Sequence, residues 1–199
     1  MKRSSLILLA VVVVVVLVIG GSIASTYNRL VSLDQEVEAQ WAQVENAYQR
    51  RADLVPNLVE TVKGAAAHER ETLQAVTDAR AQVGRIDVGD AFEDPEALAR
   101  YQAAQEQLSG ALTRLLAVAE AYPQLRANEN FLALQSQLEG TENRISVERM
   151  RFNESARAFN TRRQSFPTNM FAGMFGERFE TKAYFEATAG AAQAPEVEF

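Results

Sequence analysis

The sequence predicts an all-α protein: an N-terminal transmembrane helix followed by a long-helix, antiparallel (up-and-down) four-helix bundle. Three observations carry that expectation. Leu6 to Ala24 reads LILLAVVVVVVLVIGGSIA, with no charge between Ser4 and Asn28. Beyond it, apolar residues recur at spacings of four and three, the period of a helix face. The interruptions in that pattern carry caps and prolines that divide the remainder into four segments of comparable length.

The apolar stretch comes first because the rest of the chain leaves it in one direction. At about 1.5 Å per residue it spans roughly 28 Å, close to the hydrocarbon thickness of a bilayer. A helix pairs every backbone N–H and C=O within itself, as lipid demands. Val11 to Val16 are no obstacle, since the apolar solvent outweighs their modest helix propensity. A cleaved signal peptide is the competing reading, with Ser22 and Ala24 as a weak cleavage site. The length of the apolar core and its extension through Gly20, Gly21 and Ile23 favour a retained anchor. Lys2 and Arg3 precede the span and Arg29 follows it, which puts the N-terminus in the cytoplasm and the bundle outside the inner membrane. The expected divisions are a cytoplasmic N-terminus (1–5), an anchor (6–26), a bundle (27–165), an aromatic amphipathic segment (166–187) and a disordered tail (188–199).

Composition narrows the function. The formal charge is −6, and the +2 of Lys2 and Arg3 leaves −8 on the remainder. An acidic domain without a basic, aromatic-interleaved stripe is a poor nucleic-acid binder, so none is expected. Cysteine is absent, which removes disulfides, thiolate chemistry and Cys-ligated zinc. The lone histidine, His68, begins HERET, which departs from the HExxH of zinc proteases at Thr72. It is expected on a helix surface.

The first bundle segment shows a seam at Val37, Trp41, Val44 and Tyr48, then Arg51 out of character, then Val55, Leu58 and Val62. Around Arg50–Pro56 there is punctuation: two arginines suit a helix C-terminus, Asp53 an N-cap, and Pro56 a first turn. A tight corner is expected here, giving segments Val31–Arg51, Leu54–Val83, Glu96–Ala121 and Glu129–Gln164. One helix kinked at Pro56 is the alternative, and the unbroken seam argues for it. The second segment stops at Gly84. The link RIDVGDAFEDPE holds five acids, yet it lacks EF-hand spacing, and Asp94-Pro95-Glu96 is an ordinary helix start. No metal or cofactor is expected. The third helix ends at Tyr122-Pro123, and Asn128 caps the fourth.

The fourth helix lines one face with Phe131, Leu134, Leu138, Ile145, Phe152 and Phe159. Beside that stripe sit Gln135, Glu142, Asn143, Arg149, Asn153 and Asn160; Asn153 and Asn160, seven apart, share nearly the same face. With Arg51 and Asn57 these form a candidate polar layer or partner-contact surface. The bland reading is a satisfied layer that fixes register, the sharp one a recognition surface. After Arg157, Arg162 and Arg163 come Phe166, Met170, Phe171, Met174, Phe175, Phe179, Tyr184 and Phe185. Basic residues beside large apolar ones suit a membrane interface, with Arg162, Arg163, Phe166, Phe171 and Phe175 as candidate contacts. The competing reading has these aromatics capping the open end of the bundle.

Several motifs together resemble the LemA family of bacterial membrane proteins. They are YNRLV at Tyr27–Val31, QW at Gln40-Trp41, RRADLVPNLVETVKG at Arg50–Gly64, HE at His68-Glu69, the long run AYPQLRANENFLALQSQLEGTENRISVERMRFNESARAFN at Ala121–Asn160, and FPTNMFAGMFG at Phe166–Gly176. Phe152 and Phe159 stand where a tyrosine often precedes these asparagines, and GERFETKAYFEA is a variant ending. The resemblance implies a single N-terminal span, an up-and-down bundle and no established catalytic activity. Members are often encoded near membrane metalloproteases, and one branch belongs to magnetosome membranes. A membrane metalloprotease is therefore one candidate partner, beside other membrane proteins, lipid through residues 6–26, and self-association. The sequence itself shows no nucleophile–base pair, phosphate loop or metal set; Glu69, Glu142 and Glu148 are expected on helix surfaces without partners. A non-enzymatic scaffold or adaptor is the expected function, and an envelope sensor binding a small ligand or peptide in the polar layer is the alternative.

Overall fold

In the computed structural model, residues 3–66, 68–89, 91–175 and 179–186 are described. The disorder expected of residues 188–199 lies outside them. Six α-helices occur among the described residues: α1 Arg3–Ala65, α2 Arg70–Val83, α3 Pro95–Glu120, α4 Pro123–Arg126, α5 Glu129–Gln164 and α6 Thr168–Ala172. Single 3-10 turns lie at Ala91–Glu93 and Gly173–Phe175.

The predicted helical bundle is present, with one boundary moved. α1 does not turn at Asp53; it runs through Pro56 to Ala65 without a break. Asp53 caps nothing and instead accepts a hydrogen bond from Gln49 Nε2 one turn back, at 2.7 Å. A proline inside a helix costs about 3 kcal/mol, because it removes an N–H and crowds the carbonyl four residues earlier. Two features offset that. Val55, Leu58 and Val62 continue the seam and are fully buried, each worth about 1.5–3 kcal/mol. The carbonyl that Pro56 leaves without a partner, Ala52 O, accepts from Arg80 Nε of α2 at 2.9 Å. Arg80→Ala and Pro56→Ala should therefore be coupled. With alanine at 56 the backbone N–H returns to Ala52 O, so the loss from Arg80→Ala should shrink by about 0.5–1 kcal/mol. Strict additivity in a double-mutant cycle would contradict this.

The reversal comes at Ala66–Glu69 instead. Ala66 N still bonds Val62 O, Glu69 N bonds Ala66 O, and Leu73 N bonds Glu69 O to open α2. His68 is exposed in this turn and not on a helix face. Tyr122 Oη donates to Glu69 Oε1 at 2.9 Å, tying the turn to the end of α3. α3 then runs back alongside α1, started by Asp94, which accepts from Glu96 N, with Pro95 in the first turn. α5 descends from Asn128, whose side chain accepts from Phe131 N, and packs chiefly on α1, as α2 does on α3. The order is up, down, up, down, so α5 returns toward the end of the bundle from which the anchor leaves.

From Leu6 to Ile19 every large apolar side chain is exposed, and the stretch is long and apolar enough to cross a membrane. The buried core, by contrast, forms two apolar clusters. The membrane-proximal one gathers around Trp41, Tyr101, Phe152, Phe159 and Phe179. The distal one gathers around Leu58, Val76, Leu108, Leu115 and Leu138.

Candidate functional site

Between the two clusters lies a polar layer centred on Arg51. Its position on the α1 seam buries it almost completely, at 1% exposure. Nη1 donates to Glu142 Oε1 at 2.6 Å and to Ser109 Oγ at 2.5 Å. Nη2 donates to Gln105 O at 3.1 Å and Oε1 at 2.5 Å, and the guanidinium lies 5.2 Å from the centre of the Tyr48 ring. A buried cation is tolerable only when paired and hydrogen-bonded, and Arg51 is both. Three helices meet on this one side chain.

The site residues divide on this geometry. Arg51 and Glu142 form the layer together with Gln105 and Ser109. Asn57 and Asn143 are exposed and do not enter it. Gln135 is half-buried and bonds along its own helix to Glu139 at 3.1 Å. Glu148 is buried, not on the surface, and pairs with Arg151 at 3.3 Å and Arg144 at 3.7 Å. Glu93, Asp94 and Asp87, three acids of the loop before α3, are engaged by Lys182, Glu96 N and Gly89 N respectively.

Burial pushes the phenols of Tyr48 and Tyr101, beside Arg51, up from their ordinary value. A phenol that keeps its proton when folded but loses it at about pH 10 when unfolded lowers stability as pH rises through that range, because the unfolded state then binds fewer protons. Alkaline destabilisation beginning near pH 10, and reduced in Tyr101→Phe, is the expected profile in denaturation at stepped pH. An identical alkaline limb in the variant would contradict it.

Asn153, Asn160 and Arg149 do something the sequence did not disclose. Phe179 is in a 3-10 conformation, and residues 180–186 beyond it run without helix as a strap between α3 and α5, at the level of the membrane-proximal cluster. Asn160 Oδ1 accepts from Lys182 N, and its Nδ2 donates to Lys182 O, both at 2.8 Å. Asn153 repeats the arrangement on Phe185, both bonds at 2.9 Å. Gln102 of α3 does the same for Glu186, both at 3.2 Å. Ala183 N bonds Phe92 O at 2.8 Å, and Arg149 Nη2 donates to Glu186 O at 2.8 Å. A side-chain amide carries one acceptor and a donor pair, so each of these residues supplies what a neighbouring β-strand would.

Two strap side chains occupy sockets. Lys182 Nζ, buried, sits 2.9 Å from Asp34 Oδ1 and 2.6 Å from Glu93 Oε1, and within 5.1 and 5.2 Å of the Phe92 and Phe159 ring centres. Phe185 stacks on Trp41 at 5.9 Å, meets Phe152 edge-on at 5.5 Å, and has the Arg149 guanidinium 4.7 Å above its ring. Lys182, Asp34 and Glu93 escaped sequence reasoning because nothing local marks a lysine that pairs across 89 residues.

The aromatic residues divide as well. Phe175 and Phe179 pack against Tyr27 at 5.2 and 5.6 Å and close the end of the core. Arg163 Nε donates to Phe179 O, Arg162 is half-buried, and so is Phe171. Phe166 and Met170 are 77% and 63% exposed.

A profile of the LemA family matches residues 40–199, most of the chain, including the strap and its amide partners. The chain belongs to the LemA family. This LemA-family chain is 28% identical to Magnetosome protein MamQ of Magnetospirillum gryphiswaldense over 182 residues, covering 82% of this chain and 66% of the relative. Magnetosome protein MamQ 1 of Paramagnetospirillum magneticum is 25% identical over 177 residues, covering 80% and 64%. Protein LemA of Metamycoplasma hominis is 25% identical over 145 residues, covering 73% and 63%. The chain thus spans just under two thirds of the length of these relatives. With its apolar N-terminal helix, it is a membrane-associated LemA-type protein.

Proposed function

We infer that the chain is a non-enzymatic adaptor that holds other membrane or envelope proteins at a fixed height beside the bilayer. The observation that carries this reading is the unbroken α1, which passes from the apolar span into the bundle core without a hinge. A bundle so mounted presents its outer faces at a set distance and angle, as an adaptor requires. The interior supports the same reading: most of the charged and amide groups on which a small ligand would draw are already bonded to one another or to the strap, with Arg51 Nε and Gln105 Nε2 the buried donors of the layer left over, which weighs against the sensor. Val147 and Met150 stand exposed on α5 and offer a contact face beside Arg144 and Arg151.

Placement follows from the flanking charges. Lys2 and Arg3 hold the N-terminus in the cytoplasm, so the bundle lies outside the inner membrane. Exposed Phe166 and Met170 stand at the bundle end nearest the anchor and add a shallow second contact with the lipid interface.

Photo-cross-linking from native membranes tests the adaptor reading. A photoreactive residue at Met150 should give discrete membrane-protein adducts, lost on Val147→Glu, whereas one at Met170 should label lipid. Leu132 is a third exposed apolar residue of α5, and absence of protein adducts from Met150, Val147 and Leu132 alike would overturn the reading.

A further inference from the structure

The strap is held in the manner of a bound peptide. Three amide side chains grip its main chain at Lys182, Phe185 and Glu186, and of these only Asn160 also reads a side chain, its Nδ2 donating to Tyr184 Oη at 2.8 Å. The register is a geometric match: seven helical residues from Asn153 to Asn160 rise about 10.5 Å, and three extended residues from Lys182 to Phe185 span about 10 Å. Specificity resides in the buried side chains. Phe179, Lys182, Ala183 and Phe185 face the bundle, while Glu180, Thr181, Tyr184 and Glu186 are exposed. The lysine socket is acidic, made by Asp34 and Glu93. The aromatic socket is a stacked slot on Trp41. None of these contacts depends on the strap being covalently joined to α5.

We propose that the groove between α3 and α5 is a peptide-binding site. It takes an extended partner segment with an aromatic residue, a lysine three residues on, and a second aromatic three residues further, in place of the chain's own strap. This rests on the adaptor reading only in supplying its partner class; the binding chemistry stands on the groove alone. Main-chain pairing supplies affinity and the alternate sockets supply selection, as in strand-addition recognition. The lysine socket requires a cation, because an uncharged side chain would leave Asp34 buried without its partner. Tethering gives the resident strap a high effective concentration, so a free segment competes only when the strap is released.

The full chain in nanodiscs, with a protease site placed at residues 176–178, provides the test. The probe is a fluorescein-labelled peptide of residues 178–187, followed by anisotropy. Protein cut at the site should take up one equivalent, and uncut protein should bind at least about 100-fold more weakly. An unlabelled peptide FSSKASFS, which keeps only the socket residues, should compete within about tenfold of the native peptide. Replacing its lysine by glutamate or its last phenylalanine by alanine should lower competition at least about 30-fold, since each removes a buried pairing or stacked ring. Cut protein that keeps its helical circular dichroism but takes up no peptide would overturn the proposal, as would unfolding on cutting, which would make the strap an inseparable part of the core. Competition indifferent to lysine and aromatic positions would overturn it too. Failure here would leave adducts from Met150 untouched, and absence of those adducts would leave peptide uptake untouched.

Discussion

Lys182→Met is expected to destabilise the bundle by about 3–5 kcal/mol, the range for breaking a buried ion pair by removing one partner. The cost arises at Asp34, not at position 182. Methionine fills much of the socket between the Phe92 and Phe159 rings, but the Asp34 carboxylate, on a residue 3% exposed, then has no cation. Glu93, whose side chain is 47% exposed, can turn to water. Two comparisons isolate the cause. Asp34→Asn alone should cost less than Lys182→Met, because Lys182 keeps Glu93. Combined with Lys182→Met, it should recover a large part of the loss. Trp41, the single tryptophan, stacks on Phe185 of the strap and reports unfolding directly. A loss below about 1 kcal/mol, or no recovery in the double variant, would mean that the buried lysine does not hold the strap.

Glu142→Ala is expected to cost about 3 kcal/mol and Arg51→Met about half as much, the reverse of what burial alone suggests. Removing Glu142 leaves a guanidinium at 1% exposure with neutral partners only, at the lower end of the cost of an uncompensated buried charge. Removing Arg51 leaves a carboxylate whose side chain is already 43% exposed and can rehydrate. Methionine would also join the two apolar clusters that Arg51 separates, offsetting part of the loss. The ranking of the two variants in denaturant unfolding decides the matter; Arg51→Met costing more than Glu142→Ala would contradict the electrostatic account.

How much of this was legible in the sequence depends on how local each signal is. The anchor, α3 and α5 were readable because Asp94, Pro95, Pro123 and Asn128 act within one turn of themselves. The end of α1 was not. Pro56 and Asp53 carry a stronger local stop signal than Gly64 to Ala66, and only the burial of Val55, Leu58 and Val62 under α2 and α5 reverses the choice. That seam is visible in the sequence, and it favours the unbroken helix. At the site, the heptad spacing of Asn153 and Asn160 was legible, but what they hold was not. The strap pairs its main chain with side-chain amides, so it shows no strand alternation; its trace in the sequence is the three-residue period of Phe179, Lys182 and Phe185. Arg51 stands out as an intruder in an apolar seam, whereas Gln105 and Ser109 look like ordinary helix-surface residues until three helices are brought together.

One continuous helix, α1, runs from the apolar span to the distal end of the bundle. The absence of native cysteine makes a spin-label pair at Arg29→Cys and Lys63→Cys specific, and both positions are exposed. Pulsed electron–electron distance measurement in nanodiscs should give one narrow distribution at about 51 Å, the rise of thirty-four helical residues. A short distance of about 20–30 Å would restore the corner at Asp53, and a broad distribution would show a hinge. Either would remove the fixed mounting on which the adaptor reading stands.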